Sequence, residues 1–348
     1  MKKFPLWRLQ PFLAVAVGLA LGLLVVSFAG ESPLKVLMVL IKSSFASRYD
    51  LGMTLFYSTP LILCGLSVSV AYRAGLFNIG AEGQLLMGAL GASSAGILFS
   101  SLPWPFAPFV AIAAAFLFGA AWGGIAGALR VFRGSHEVIT TIMLNFISAA
   151  LVSWFVLYQL KNPDSQNPET AAVANAFLLH RFSFFQDAPV STAMVATLLL
   201  VVFLQWMYTK SRFGFELKAV GNSEAAAHAA GIKPGRVRLL SFLLAGGIAG
   251  LVGAVEVLGN SDKFKIDFSP GYGFTGIAVA LLASGNPVGI LFSGLLFGAL
   301  HKGSLDLDIE TERITREVSM VLQGLIILVV AANGLWAWMK KNEVEARS

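Results

Sequence analysis

Asn78, Glu82 and Gln84 stand where an apolar stretch resumes, with Gly75, Gly80 and Gly83 set among them. A charged carboxylate at membrane depth is costly, so Glu82 should face a bundle interior or a water-filled cavity. Asn and Gln both donate and accept, which suits the edges of a sugar or a nucleobase. Asn78 and Glu82 are four residues apart and share one face if the segment is helical. The same groups could instead tie neighbouring helices or two subunits together; both readings stay open, with Glu82 leaning to the structural one. Glu256 is a second acid inside an apolar run, with Asn260 four residues on and nearer the outer end. Phe77, Tyr272 and Phe274 lie beside these groups and could stack a flat base, although most of the 27 phenylalanines must pack or face lipid. Asn286 completes the set, in a Gly285-Asn286-Pro287 sequence that interrupts a long apolar run.

Other chemistry is missing its parts. No G-x-x-x-x-G-K-[ST] phosphate loop occurs, so the chain is not expected to hydrolyse ATP unaided. His136-Glu137 begins like a zinc-protease motif, but Thr140 stands where the second histidine must be. His136, His180, His228 and His301 are scattered and show no metal-ligand spacing. Cys64, the single cysteine, lies in an apolar run and reads as a small core residue. Neither a catalytic residue nor a metal site is expected, and no cofactor bound by this chain.

The elements that must position these groups are membrane spans. Of 348 residues 56% are hydrophobic and 13% charged, about half the charge of soluble domains. The 35 glycines suit helices that bring backbones close together in a bilayer. A crossing needs about 20 apolar residues, and candidates are 11–29, 52–72, 78–100, 107–129, 138–159, 190–209, 239–258, 272–284, 287–302 and 317–338. Short pieces such as those flanking Gly285–Pro287 are tolerated only where freed backbone meets protein or a polar cavity, so the break points toward a transport path. Ser27 and Ala29 mimic a signal-peptidase site, but the first run is long and is taken as an uncleaved span. Trp7, Trp104, Trp336 and Trp338 read as interfacial anchors.

The net charge of +6 does not indicate nucleic acid, because the basic residues sit in short loops between apolar runs. Ten spans place both termini on one side, and 15 of the 25 Lys and Arg then fall on that side, which the positive-inside rule makes cytoplasmic. Asp306, Asp308, Glu310 and Glu312 lean outward. The fold expected is an all-α polytopic membrane protein of about ten helices, some short or broken. It forms a single transmembrane domain over 1–348 with a cytoplasmic loop at 210–238. A second long loop, 160–189, faces outside.

The loop from Lys210 to Arg238 carries a short capped helix. Asn222 or Ser223 can cap it, and Glu224 suits the positive end of its dipole. Ala225, Ala226, Ala227, Ala229 and Ala230 propagate it with almost no bulk. Gly231 supplies a left-handed stop and Pro234 prevents re-entry. So short a helix is unstable alone and should need a docking partner.

The stretch A-V-G-N-S-E-A-A-A-H-A-A-G-I, Ala219 to Ile232, resembles the cytoplasmic coupling segment of permease subunits in bacterial ABC importers. R-A-G-L-F-N-I-G-A-E-G-Q, Arg73 to Gln84, is similar to the branch importing nucleosides and simple sugars, the nucleoside permeases in particular. G-F-T-G-I-A-V-A-L-L-A-S-G-N-P-V-G-I, Gly273 to Ile290, is shared more widely among sugar and amino-acid permeases. The matches run in order along most of the chain. The resemblance implies a bacterial cell-membrane importer in which a partner ATP-binding subunit, of double length in nucleoside members, binds ATP and Mg. It also implies a second, different permease and an external substrate-binding lipoprotein. Gly221, Asn222, Ser223, Glu224, Ala225, Ala226, Ala229 and Gly231 would then couple the ATPase to the spans. A self-sufficient secondary transporter or channel is the competing reading and has no use for a docking helix. A membrane-embedded enzyme is disfavoured by the missing nucleophile–base pair.

Overall fold

The computed structural model describes residues 10–311 and 320–329. Trp7, Trp336, Trp338, Glu312 and much of the final candidate span lie outside the described residues. Helices dominate: α1 (Gln10–Phe28), α2 (Pro33–Phe45), α3 (Arg48–Arg73), α4 (Ala81–Leu98), α5 (Phe106–Arg133) and α6 (Glu137–Tyr158) come first. They are followed by α7 (Thr192–Lys210), α8 (Arg212–Asn222), α9 (Glu224–Ala229), α10 (Pro234–Ala254), α11 (Tyr272–Leu282) and α12 (Pro287–Glu310). A further apolar helix covers Met320–Val329. Among the described residues there are three isolated β-bridges and no strand.

Six helices are long and apolar enough to cross a bilayer: α3, α5, α6, α7, α10 with its extension, and α12. The chain is an all-α, multi-pass membrane protein. Burial separates the helices into two kinds. Inside the bundle lies 83% of the most apolar stretch of α10 but only 22% of that of α6, so α10 is core and α6 faces lipid. Lipid gives no hydrophobic drive to pair helices, so close backbone approach must do it. The seam between α4, α5 and α10 shows how. A Cβ on Gly246 would fall 2.3 Å from the Gly119 carbonyl oxygen, and one on Gly88 would fall 2.2 Å from that of Gly250. Only glycine fits either position.

Helix ends follow from local chemistry. Ser47 and Asp50 form a reciprocal capping box at the start of α3: the Asp50 N–H donates to Ser47 Oγ (3.0 Å), and the Ser47 N–H donates to Asp50 Oδ2 (3.2 Å). At the other end of α3, Arg73 lies beside the 210–238 loop. Antiparallel α12 returns to Asp50 through Lys302, which bridges Asp50 at 3.4 Å and Asp306 at 2.8 Å. Gly285, at φ +68°, closes α11, and Asn286 caps α12 by accepting the Gly289 N–H at 3.1 Å, so the break falls where the sequence places it.

Three elements differ from the sequence expectation. The span expected at 78–100 is helical only from Ala81, because Gly75 turns left-handed (φ +73°) and residues 76–79 run without helical bonding. The 210–238 loop contains two helices, not one, since Ser211 caps α8 through the Gly214 N–H at 3.0 Å. Helix α2, too short and too basic to read as a span, packs along α12, where the Ser44 hydroxyl donates to the Ala299 carbonyl at 2.7 Å.

Candidate functional site

Two helices begin deep in the bundle, and each has its N-terminus capped by a side chain from another helix. The first four N–H groups of a helix lack internal partners, so a start away from water must find acceptors. For α4 the acceptor is Asn145 of α6. Its Oδ1 receives the Gly83 N–H at 2.8 Å, while its Nδ2 donates to the Ile79 carbonyl at 2.9 Å, so one amide holds both sides of the turn into the helix. For α11 it is Glu82 of α4, whose Oε2 receives the Gly273 N–H at 2.7 Å. The Ser269 hydroxyl also donates to Glu82, and Ser269 Oγ accepts from the Gly271 and Tyr272 N–H groups at 3.2 and 3.1 Å. The carboxylate therefore lies at the positive end of α11, where negative charge is favoured.

Asn78 and Gln84 are spent on each other. Asn78 Nδ2 donates to Gln84 Oε1 at 3.0 Å, Gln84 Nε2 donates to Asn78 Oδ1 at 3.2 Å, and the Gly80 N–H adds 2.9 Å to the same oxygen. Both side chains are buried. Asn78 precedes α4, so it does not share a helix face with Glu82, because the glycine turn delays the helix until Ala81. This amide pair closes the re-entrant segment on itself.

A second polar group lies where α10 widens. Residues Val255–Ser261 continue it as a π-helix, a form concentrated at functional sites. Glu256 Oε2 accepts the Asn260 amide at 3.0 Å, the Tyr272 hydroxyl lies against the same carboxyl, and Oε1 is buried with no partner in hydrogen-bonding geometry. Tyr57 and Tyr272 flank His301, with ring centroids 4.6 and 6.5 Å from it. The 160–189 loop covers this end. Arg181 donates to the Gly259 and Asn260 carbonyls, and the Thr170 N–H donates to the Phe264 carbonyl at 3.0 Å. Lys263 pairs with Glu169 at 3.0 Å. That ammonium, with the Ser165 hydroxyl, holds the Glu169 carboxyl below its ordinary range, and Glu169 in turn raises Lys263.

The expected site residues therefore separate. Tyr272 and Gly273 are adjacent, so the α11 start joins the Glu82 and Glu256 groups. Phe274, on the same turn, is half exposed, and Phe77 is partly buried on the re-entrant segment. Asn286 is far from Glu256, at the Arg73 end of α3, and acts as a helix cap. Asn145, Ser269 and Arg181 were not among the expected residues. Asn145 carried a signal, as an amide inside an apolar span; the other two depend on contacts distant in sequence.

The 210–238 loop presents α9 outward. Ser223, not Asn222, caps it, accepting the Ala226 N–H at 3.3 Å; Asn222 is the last residue of α8. Gly231 is left-handed at φ +80°, and the Ile232 N–H returns to the Ala227 carbonyl at 3.0 Å. Ala227 faces the body, while Glu224, Ala225, Ala226, His228, Ala229 and Ala230 are exposed. Arg238 of α10 anchors the helix start through Glu224 at 2.9 Å.

Comparison with known proteins agrees in one direction. The family described as branched-chain amino acid transport system / permease component matches residues 51–331. The chain is 35% identical over 329 residues to the guanosine ABC transporter permease protein NupP of Bacillus subtilis, covering 93% of each chain. It is 34% identical over 331 residues to the nucleoside ABC transporter permease protein NupB of Lactococcus lactis, covering 93% of this chain and 90% of the other. It is 32% identical over 328 residues to the glucose ABC transporter permease protein TsgB13 of Haloferax volcanii, covering 91% and 85%.

Proposed function

The chain belongs to the branched-chain amino acid transport system / permease component family, and we propose that it carries nucleosides as the permease subunit of an ATP-driven importer. The observation that carries this reading is α9. An outward, capped helix with a bare alanine face and an ion-paired root is a docking knob, which a permease driven by a separate ATPase needs and a secondary carrier does not. Likeness along nearly the whole chain to guanosine and nucleoside permeases supports the substrate class. Likeness to a glucose permease favours simple sugars as the second reading.

In this reading residues 1–348 form one transmembrane domain, both termini are cytoplasmic, and 210–238 is the coupling loop in the bacterial inner or plasma membrane. Gly221 to Gly231 dock into an ATP-binding subunit, of double length, that holds ATP and Mg. A second, different permease completes the pore, and a lipoprotein delivers substrate from outside. The path runs past the re-entrant starts of α4 and α11. Glu256, Asn260 and Tyr272 receive substrate beneath the outer loop, and Phe77 and Phe274 offer rings to the base. Asn78, Glu82 and Gln84 shape the path, and Asn286 lies at its inner end. Movement of α9 by the ATPase would rotate the attached spans, as alternating access requires.

The test is reconstitution in vesicles. The purified chain should show no ATPase activity alone and should take up labelled nucleoside only with the ATP-binding subunit, second permease and lipoprotein present. ATP-independent uptake by the chain alone would establish the secondary-carrier reading instead. Competition by glucose but not by guanosine would move the substrate to sugars.

A further inference from the structure

The last residue of α3 touches the 210–238 loop, the break between α11 and α12, and α7. The Arg73 carbonyl lies against Gly221 so closely that a Cβ there would fall 2.2 Å from the oxygen and 3.1 Å from the Gly75 nitrogen. Gly221 is two residues before the Ser223 cap of α9. The Arg73 side chain leaves in another direction. Its Nε donates to the Gly285 carbonyl at 3.3 Å, in the break between α11 and α12, and its guanidinium lies 4.0 Å from the centroid of the Tyr208 ring on α7. Tyr208 is fixed in turn by the Ser69 hydroxyl at 3.0 Å. Beyond Arg73 the backbone passes through left-handed Gly75 into the segment that holds Asn78.

We infer that Arg73 is the positioning residue through which displacement of the coupling loop reaches both broken helices at once. The inference rests on the reading of α9 as the docking helix. The Gly221–Arg73 contact is backbone on backbone, with no side chain between to yield, so a shift of α8 and α9 moves the Arg73 carbonyl with it. Packed groups of this kind transmit displacement rather than absorb it. The same residue grips Gly285 through its guanidinium and pulls Gly75 through the chain. The two re-entrant starts, α4 and α11, are joined further in by Glu82 and Gly273, so the loop, both breaks and the polar centre form one continuous set of contacts. A planar guanidinium serves here because it donates and stacks together, which lysine does less well.

The experiment uses the full importer in vesicles and measures nucleoside taken up per ATP hydrolysed, together with co-purification of the subunits. Arg73→Ala, which removes the guanidinium grip on Gly285 and leaves the backbone contact with Gly221 in place, should keep assembly and ATPase activity but lower uptake per ATP about tenfold. Arg73→Lys should fall between Arg73→Ala and the unaltered protein, because it keeps one donor and the charge. Gly324→Ala, where an added methyl meets nothing within 4 Å, is the control. Should Arg73→Ala fail to accumulate, Arg73→Lys decides alone, with uptake per ATP below that of the unaltered protein as the expected result. Unchanged uptake per ATP overturns the inference, as does a loss of assembly, ATPase and uptake in equal proportion, which marks a purely structural contact. Failure of the unaltered chain to couple ATP to uptake would instead reject the docking-helix reading.

Discussion

The Glu82 carboxylate of α4 accepts the backbone N–H of Gly273 in α11 at 2.7 Å, so one half-buried helix start caps another 191 residues away. Glu82→Gln keeps the shape and an acceptor but removes the charge. The expected cost is about 1–2 kcal/mol, since hydrogen bonds to charged groups exceed neutral ones by that order. Thermal unfolding in detergent should show the loss while the uptake KM stays within about twofold, a small energy by affinity arithmetic. A large KM increase at unaltered stability would place Glu82 against substrate.

Gly231 separates conformation from contact. An added Cβ there meets nothing within 4 Å, so any effect of substitution comes from its φ of +80°. Left-handed backbone costs a non-glycine residue about 1–2 kcal/mol, Asn less and β-branched residues more. Uptake per ATP should therefore decline in the order Gly231→Asn, Gly231→Ala, Gly231→Val, with the valine variant uncoupled. Normal uptake by the valine variant would remove the cap from the docking role.

Glu256 tests the proposed outer part of the path. Its Oε2 is held by Asn260 while Oε1 is buried without a hydrogen-bond partner, an acceptor that a substrate hydroxyl would satisfy under the proposed path. Glu256→Gln should raise the uptake KM about tenfold, equivalent to about 1.4 kcal/mol, with assembly unchanged. A KM equal to that of the unaltered protein would take Glu256 out of the path.

The outer loop has a pH signature. Glu169 is lowered by Lys263, so the pair's contribution is present above the ordinary glutamate range and fades as pH falls through the depressed value. Lys263 is raised, so its contribution is present below the ordinary lysine range and is lost as pH rises through the elevated value. Protease resistance of the 160–189 loop should thus be level between those limits and fall at both extremes. Lys263→Met should remove the alkaline flank and shrink the acid one, where the Ser165 hydroxyl still favours the ionised Glu169, and a variant profile identical to the original would show that the pair does not hold the loop.

Much of this was legible in residue order because it is local. Gly285-Asn286-Pro287 breaks a helix wherever it occurs, and the Ser223-to-Gly231 stretch contains its own start and stop. The Asn78–Glu82 relation failed for an equally local reason, since helical spacing presumes a helix and Gly75 postpones it. What residue order could not supply was partnership across the bundle. Asn145 announces itself as an amide among apolar neighbours but not that it will hold Ile79 and Gly83. Arg73 reads as one more basic residue at the end of a span, although its carbonyl and guanidinium meet residues 148 and 212 positions away. Helix α8 was hidden by its basic face, which looks like loop until it is packed.

The glycine seam between α4, α5 and α10 has a mechanical consequence. With backbones pressed together at Gly246–Gly119 and Gly88–Gly250, a one-residue slide would drive a side chain into main-chain atoms. The three helices therefore behave as a single stiff plate. A conformational change that slid one of the three past another would have to break that main-chain contact, so they shift as one body or not at all.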